Sequence, residues 1–300
     1  MTDIIKNPFN YQGSKNRIMP LIKENLPEKL DFVVDIFGGS GEVCLNIGKK
    51  CLYNDKDKYI YNLIKTIREC DIENIISTIE ANIDYYRLTK TNKASFLNIR
   101  RDFNTNGYQF LDCEIDSMRH GANLMLLTML YYSFNYQLTF NSQGKYSNPS
   151  GYNRSSFNKS LREKLIKYKQ RIDEVNIQMW NCDFLTCYER FMEFYPNYFK
   201  EDILFFVDPP YFNTDDTYSR TYGMKWTESD ERHLYDMLAD IDKHGGKFML
   251  TNTIINNGVK NEYLDVFSKK YHTISTDCDF HGCSYQRKNK KTKEIIVKNY

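Results

Sequence analysis

The run Ile203-Leu204-Phe205-Phe206-Val207, followed at once by Asp208-Pro209-Pro210-Tyr211, constrains this chain more than any other stretch. Consecutive apolar residues without polar alternation read as a strand buried on both faces, as in a parallel sheet. The two prolines end the ladder, because neither carries an N–H to donate. A carboxylate, a rigid turn and an aromatic ring are thereby set at the carboxyl end of a core strand. In open α/β sheets that edge is where ligands bind.

Asp208 and the carbonyl of Pro209 are acceptors in fixed relative geometry, and Pro210 stiffens the turn without adding a donor. Together they can grip the two hydrogens of an exocyclic amine. Tyr211 can stack on the flat ring carrying that amine, a contact worth about 1–3 kcal/mol per base. The plainer alternative is a strand-to-loop turn with an aspartate capping the backbone. The rest of the chain decides between them.

With 300 residues, the chain holds one large domain or a main domain plus an insert. Hydrophobic residues at 41% suffice for a packed core. A net charge of only +2 means that a polyanion would have to be met by clustered basic residues. The 24 Tyr and 19 Phe, interleaved with Asn and Lys, suit base stacking as well as packing. The eight cysteines lack the spacing of a secreted disulfide framework. Two C-D-F-x-x-C segments, Cys182 to Cys187 and Cys278 to Cys283, have a spacing that zinc tolerates. The gap within each pair exceeds the usual knuckle, so buried or unpaired thiols are the stronger reading and no metal is expected. The start has no signal-peptide core and no apolar run approaches ~20 residues, so a soluble, cytoplasmic protein is expected.

Phe32-Val33-Val34-Asp35-Ile36-Phe37 is strand-like. Gly38-Gly39-Ser40-Gly41 follows, then Glu42 to Ile47 with helical character. Strand, glycine turn and helix open a dinucleotide-type fold. A second short strand, Cys51 to Asp55, ends in an acid close to where a ribose-binding carboxylate falls in such folds. Alone, the glycine pattern is weak, since it lacks the full G-x-G-x-x-G. Residues 56–175 then break the strand–helix alternation and are mostly helical in pattern, with a buried helix across Ala122 to Tyr132. Past it, two aromatic and β-branched segments flank Ser142-Gln143-Gly144, a hairpin signal. Its Asn, Gln, Thr, Ser and Lys side chains are types that read base edges and phosphates; a solvated loop is the alternative. Strands at Ile177–Trp180 and Lys247–Asn252 resume the sheet, with a helix across Glu228–Lys243. The end reads as a hairpin of Tyr271–Ser275 with Glu294–Lys298. Its loop carries Arg287, Lys288, Lys290, Lys291 and Lys293, the densest basic cluster and suited to phosphate contacts.

Taken together these residues resemble the Dam-type DNA adenine methyltransferases, which methylate the exocyclic amine of adenine from S-adenosylmethionine. Asn10-Tyr11-Gln12-Gly13-Ser14-Lys15 matches the amino-terminal cofactor motif and Asp35-Ile36-Phe37-Gly38-Gly39-Ser40-Gly41 the glycine-rich motif. Tyr53-Asn54-Asp55 matches the ribose-acid motif, and Asp208-Pro209-Pro210-Tyr211 the catalytic motif. Only the last is specific by itself, but four in the family's order across nearly the whole chain are very specific.

The resemblance implies a Rossmann-like α/β methyltransferase sheet, residues 1–55 and 176–300, with a helical, hairpin-bearing target-recognition insert, residues 56–175. It implies that Tyr11, Lys15, Asp35, Phe37, Gly39, Ser40 and Gly41 line the S-adenosylmethionine pocket and that Asp55 takes the ribose hydroxyls. Asn181, Cys182 and Asp183 would lie near the cofactor's adenine ring, with Asp208 beside the methyl donor. Phe134, Asn135, Gln137, Thr139, Asn141, Lys145, Pro149, Arg154, Arg287 and Lys288 would meet double-stranded DNA. The target adenine must flip out of the duplex to be reached. Asp208 and the Pro209 carbonyl would hold its amine while Tyr211 stacks on the ring, for a direct in-line transfer with neither covalent intermediate nor metal.

One departure stands out. Members of this family that methylate GATC carry a guanine-reading arginine where this chain has Thr139, and Gln137 replaces an apolar residue. The activity class carries over, but the GATC target does not. A bacterial or phage-encoded monomer is expected, and partnership with a restriction endonuclease is left open. Three alternatives remain: a cytosine-N4 methyltransferase, a nucleotide-cofactor oxidoreductase built on the glycine turn, and a catalytically silent DNA-binding module. The oxidoreductase would leave the Asp208 quartet without purpose.

Overall fold

The computed structural model describes residues 4–11, 13–195, 202–212, 226–256, 258–276 and 292–300. Strands β1 (Phe32–Asp35), β2 (Lys50–Asn54), β3 (Asn176–Trp180), β4 (Ile203–Val207) and β5 (Lys247–Asn256) run parallel. The short β6 (Val259–Lys260) turns back on β5. Antiparallel β8 (Lys293–Lys298) lies between β5 and β7 (His272–Ser275). The order across the sheet is β3-β2-β1-β4-β5-β8-β7. The terminal hairpin expected from sequence is present, but its second strand is wedged into the sheet rather than hung on its edge.

Alternation explains why the central strands are apolar throughout. Ile203, Phe205 and Val207 enter one core with Phe32, Val34, Phe248, Leu250, Ile295 and Val297. Leu204 and Phe206 enter the other with Val33, Met249 and Ile296. Helices α8 (Phe184–Phe194), α9 (Glu228–Lys243) and α10 (Glu262–Ser268) supply the first core. Helices α1 (Met19–Glu24), α2 (Glu42–Ile47), α3 (Lys58–Glu69) and α7 (Lys159–Glu174) supply the second. This is the doubly wound α/β architecture of the methyltransferase fold. The chain runs outward through β1, β2 and β3, then reverses through β4 and β5. The reversal places the carboxyl ends of β1 and β4 side by side, where such sheets bind ligands.

Between α3 and α7 lie α4 (Ile72–Tyr86), α5 (Lys93–Asp102), a π-turn at Phe103–Gly107, a 3-10 turn at Tyr108–Phe110, and α6 (Asp116–Tyr132). These helices share the second core: Ile75, Phe96, Leu126, Met129 and Leu130 are contiguous with the sheet-facing residues. Side-chain caps fix where several helices begin, with Asp57, Asn92, Asn158, Asp183 and Asn261 each accepting a first-turn N–H. No helix among the described residues is long and apolar enough to cross a membrane.

The Ser142-Gln143-Gly144 reversal is present, but its flanks are not strands. Asn141 N–H donates to Lys145 O and Gly144 N–H to Asn141 O, both at 2.9 Å, with Gly144 at φ 72°. Beyond this turn the two arms share only isolated bridges, Phe140 to Tyr146 and Ser133 to Ser150, with Ser147 N–H on Thr139 O at 2.9 Å and Phe134 N–H on Pro149 O at 2.8 Å. Side chains from elsewhere supplement this broken ladder. Asn104 donates to Tyr146 O at 2.9 Å and accepts Tyr146 N–H at 2.8 Å, and Tyr59 stacks on Phe140 with ring centroids 3.9 Å apart.

Candidate active site

The glycine turn after β1 is held from above and below. Gly38 N–H donates to Asn54 O at 2.7 Å, tying the turn to the end of β2. A Cβ at Gly38 would stand 2.4 Å from the Tyr53 ring, and one at Gly39, where φ is 49°, 2.6 Å from the Tyr11 ring. Neither position has room for a side chain, which is why the turn is glycine-rich. Tyr53 donates its hydroxyl to Gly39 O and Tyr168 to Ser40 O, both at 2.7 Å. Gly41, at φ 73°, caps α2.

Asp208 leaves β4 into a network assembled from four parts of the chain. Its Oδ2 is paired with Lys15 Nζ, and its Oδ1 accepts the Thr251 hydroxyl at 2.7 Å. Lys15 also donates to Gly13 O at 2.9 Å and to the Tyr211 hydroxyl at 3.5 Å. Tyr211 in turn donates to Glu294 Oε1 at 2.8 Å. Burial raises the Asp208 pKa, and Lys15 and Thr251 hold it back. Burial also works to lower Lys15, but Asp208, Glu294 and Glu42 outweigh it and the ammonium ends above its ordinary value. Lys15 was expected to line the cofactor pocket; its pairing with Asp208 was not visible in sequence.

A second carboxylate organises the amino-terminal motif. Glu42, in the first turn of α2 and 3% exposed, accepts Asn7 Nδ2 at 2.7 Å, Ser14 Oγ at 2.8 Å and Lys15 N–H at 3.1 Å, as well as Asn16 Nδ2. Asn7 also donates to Ser40 Oγ at 3.3 Å. The segment carrying Tyr11 and Lys15 is thus pinned to the helix that follows the glycine turn.

Asp35 ends β1 and Asp55 follows β2, both beside this loop. Burial pushes Asp35 up to about 8, with the Cys44 thiol opposing and Asp208 and Asp55 adding repulsion. Its Oδ1 is buried with no hydrogen-bond partner. Burial pushes Asp55 up to about 6, against the pull of two backbone donors. Those donors are Gly39 N–H at 2.7 Å on Oδ2 and Asp57 N–H at 2.8 Å on Oδ1.

Around the end of β3, Asn54 joins three segments: it donates to Ile36 O and Cys182 O, both at 3.0 Å, and accepts Cys182 N–H at 3.1 Å. Asn181 donates to Asp55 O at 2.7 Å. Asp183 uses its carboxylate to cap α8, accepting Thr186 N–H at 3.1 Å and its hydroxyl at 2.6 Å. Phe37 stacks on Phe184 at 5.6 Å, and Trp226 meets its edge at 5.8 Å. Cys182 and Cys187 are free thiols, and Cys278 and Cys283 lie outside the described residues. Among the described residues, one acid–histidine cluster has metal-binding reach, Glu69, Asp116 and His120, and the Arg119 guanidinium already bridges both its carboxylates.

Of the residues expected to meet DNA, Phe134, Asn135, Asn141, Lys145, Pro149 and Arg154 are exposed, while Gln137 and Thr139 are half-buried. The Arg154 guanidinium lies 5.8 Å from the Phe134 ring centre. Asn135 has a left-handed backbone at φ 55°. Asn10 N–H donates to Tyr136 O at 3.2 Å, so this surface abuts the amino-terminal motif. Arg287 and Lys288 lie outside the described residues.

The profile of the family described as D12 class N6 adenine-specific DNA methyltransferase matches residues 11–280. The type II methyltransferase M.FokI of Planomicrobium okeanokoites is 30% identical over 299 residues, covering 99% of this chain and 43% of its own length. Modification methylase StsI of Streptococcus sanguinis is 28% identical, with the same 99% and 43% coverage. The type II methyltransferase M.MjaIII of Methanocaldococcus jannaschii is 23% identical, with 99% of each chain covered. The chain therefore spans less than half of the first two relatives and nearly all of the third. Motif order, site geometry and a match across most of the chain agree: the chain belongs to the D12 class of N6 adenine-specific DNA methyltransferases.

Proposed function

We propose that this protein methylates the N6 amine of an adenine flipped out of double-stranded DNA, with S-adenosylmethionine as donor. The observation that carries this is the placement of Asp208-Pro209-Pro210-Tyr211 at the end of β4, beside the β1 glycine turn, with Asp208 aimed by Lys15 and Thr251. Residues 1–55 and 176–300 form the catalytic part, and residues 56–175 the recognition part that presents the Asn141–Lys145 turn to DNA. The relatives' names as modification methylases favour a cytoplasmic role beside a restriction endonuclease.

The residues present fit the donor. Asp35, Asp55 and Asp208 crowd three acids around the turn, Lys15 is paired with one of them, and Asp35 Oδ1 is an unmatched buried acceptor. Such a nest favours a cationic ligand. When bound there, S-adenosylmethionine supplies an electrophilic methyl carbon on a sulfonium. Gly39 gives backbone access, and Asp55 stands at the end of β2 for the ribose hydroxyls. Tyr211 stacks on the adenine, while Asp208 and the Pro209 carbonyl accept the amine hydrogens. Drawing those hydrogens aside favours a nitrogen lone pair that faces the methyl carbon. Transfer would break the carbon–sulfur bond and release the neutral thioether as the carbon–nitrogen bond forms, and Asp208 would hold the proton that N6 sheds.

The test is transfer from S-adenosylmethionine with a tritiated methyl group to duplex DNA, followed by digestion to nucleosides. N6-methyladenine is the expected product; N4-methylcytosine would overturn the reading. Asp208→Ala should abolish transfer with the fold intact. A residual rate above about a tenth contradicts the role, since one such acceptor is worth about 2.7–4 kcal/mol by analogy with oxyanion-hole donors.

A further inference from the structure

Glu294 is a carboxylate buried in the sheet with half of its acceptor capacity unspent. It lies on β8 opposite Thr253 of β5 and is 2% exposed. Oε1 accepts the Tyr211 hydroxyl at 2.8 Å, and Oε2 is buried with no hydrogen-bond partner. Keeping an incompletely satisfied carboxylate away from water is unfavourable, so its retention needs a reason. Lys15 stands on the far side of the same hydroxyl, donating to it at 3.5 Å. Its other contacts are Gly13 O at 2.9 Å and Asp208 Oδ2. Glu294 and Asp208 both act electrostatically on that ammonium. One buried cation thus lies between a buried carboxylate and a partly buried one, and is committed to the second.

That arrangement meets a difficulty in the proposed reaction. Asp208 must turn to the adenine amine, and Lys15, its side chain 6% exposed, then loses its counterion. A buried ammonium left unpaired is strongly unfavourable. We propose that Glu294 is the second seat of Lys15: Oε2 receives the ammonium when Asp208 takes the adenine amine, while Oε1 keeps the Tyr211 ring in place. The flexible lysine stem permits the move, and the total charge of the three groups does not change. Glu294 touches neither methyl donor nor adenine, so it is a positioning residue. The inference rests on Asp208 being the group that holds the amine.

Glu294→Gln separates the two duties, because the amide oxygen still accepts from Tyr211 while the charge is gone. The probes are tritiated S-adenosylmethionine and long unmethylated duplex DNA of mixed sequence. Single-turnover transfer should fall about tenfold or more, while the dissociation constants for cofactor and DNA stay within about threefold of wild type. Glu294→Asp, which keeps the charge, should recover part of the loss. Transfer by Glu294→Gln at the wild-type rate overturns the inference, as does loss of cofactor and DNA binding in step with transfer. A readout that needs no folded variant is the wild-type structure with S-adenosylhomocysteine and the duplex it methylates best. Lys15 Nζ at hydrogen-bonding distance from Glu294 Oε2 supports the exchange; Lys15 still on Asp208 overturns it. Failure of the underlying reading is distinct: the wild type then makes no N6-methyladenine, or Asp208→Ala still does, and the inference falls with it.

Discussion

Thr251 donates its hydroxyl to Asp208 Oδ1 at 2.7 Å, so a β5 side chain aims a carboxylate that leaves β4. Thr251→Val keeps the shape and deletes the donor. A hydrogen bond to a charged group is worth about 1.5–3 kcal/mol, so turnover should fall about tenfold to a hundredfold. Cofactor affinity should barely move. A Thr251→Val enzyme as fast as wild type would mean that the Thr251 hydroxyl does not aim Asp208.

Asp55 offers a different separation. Its carboxylate, proposed to take the ribose hydroxyls, also fixes Gly39 N–H at 2.7 Å. Asp55→Ala should weaken S-adenosylmethionine binding by about tenfold or more, read by calorimetry. Cofactor-independent DNA affinity, read by gel shift, should be nearly unchanged. Equal loss of both with an intact fold would reassign the residue.

The pH response follows from Asp35. Burial lifts its pKa from an ordinary 3.8 to about 8, so the folded state holds this proton more tightly than the unfolded state. The associated stability is present at low pH and is lost as pH rises through about 8. Asp55, lifted to about 6, acts in the same direction lower in the range. The cofactor-free protein should therefore melt at a lower temperature at pH 9 than at pH 6, and Asp35→Asn should shrink that difference. A cationic ligand favours the ionised acids, so S-adenosylmethionine affinity should rise over the same window. A flat melting profile between pH 6 and 9 would remove Asp35 from the argument.

Much of this site was legible in the chain itself. The apolar run Ile203–Val207 gave away a central strand because both its faces are covered. The Asp208 quartet and the glycine turn were legible because prolines and glycines impose local geometry whatever surrounds them. Glu294 was not, because Lys293-Glu294 reads as the polar flank of a strand; β8's insertion beside β5 is what buries it. Glu42 was equally silent, since an acid in a first helical turn is usually only a favourable charge. The arms of the Ser142–Gly144 turn were over-read as strands. Their aromatic residues are there to pack on Tyr59 and against Phe103, and Asn104 supplies the hydrogen bonds a partner strand would have given.

Glu42 supports a direct stability prediction. Glu42→Ala would leave the buried donors of Asn7 and Lys15 without their acceptor. Each such group costs about 1–3 kcal/mol, so the melting temperature should drop clearly and S-adenosylmethionine binding should be lost with it. Unchanged melting would show that the amino-terminal segment docks by its apolar residues alone.

The proposed reading of DNA puts specificity on the Asn141–Lys145 surface. Thr139 is half-buried, with its carbonyl taken by Ser147 N–H at 2.9 Å and Ser147 Oγ at 3.3 Å. A threonine hydroxyl cannot span both guanine acceptors, whereas a bidentate arginine pair gives about 1–3 kcal/mol of discrimination. The protein should not prefer GATC, and Thr139→Arg should shift its preference toward guanine at one position. Base-resolution sequencing of DNA from a host expressing each form decides this. Full GATC selectivity by the wild type would pass the guanine contact to Lys145 or Arg154.

The hydroxyl of Tyr168 on Ser40 O has a consequence for exchanging recognition parts between relatives. Tyr168 belongs to α7, within the proposed recognition part of the chain, and its neighbour Arg171 donates to Leu45 O at 2.8 Å and Gly48 O at 3.1 Å, closing the end of α2. A transplant cut at residues 56 and 175 would carry these donors away and leave the carbonyls of Ser40, Leu45 and Gly48 bare. Grafts spliced after α3 and before α7 keep them, and it is those chimaeras that should retain a working methyl-donor site while acquiring a new target sequence.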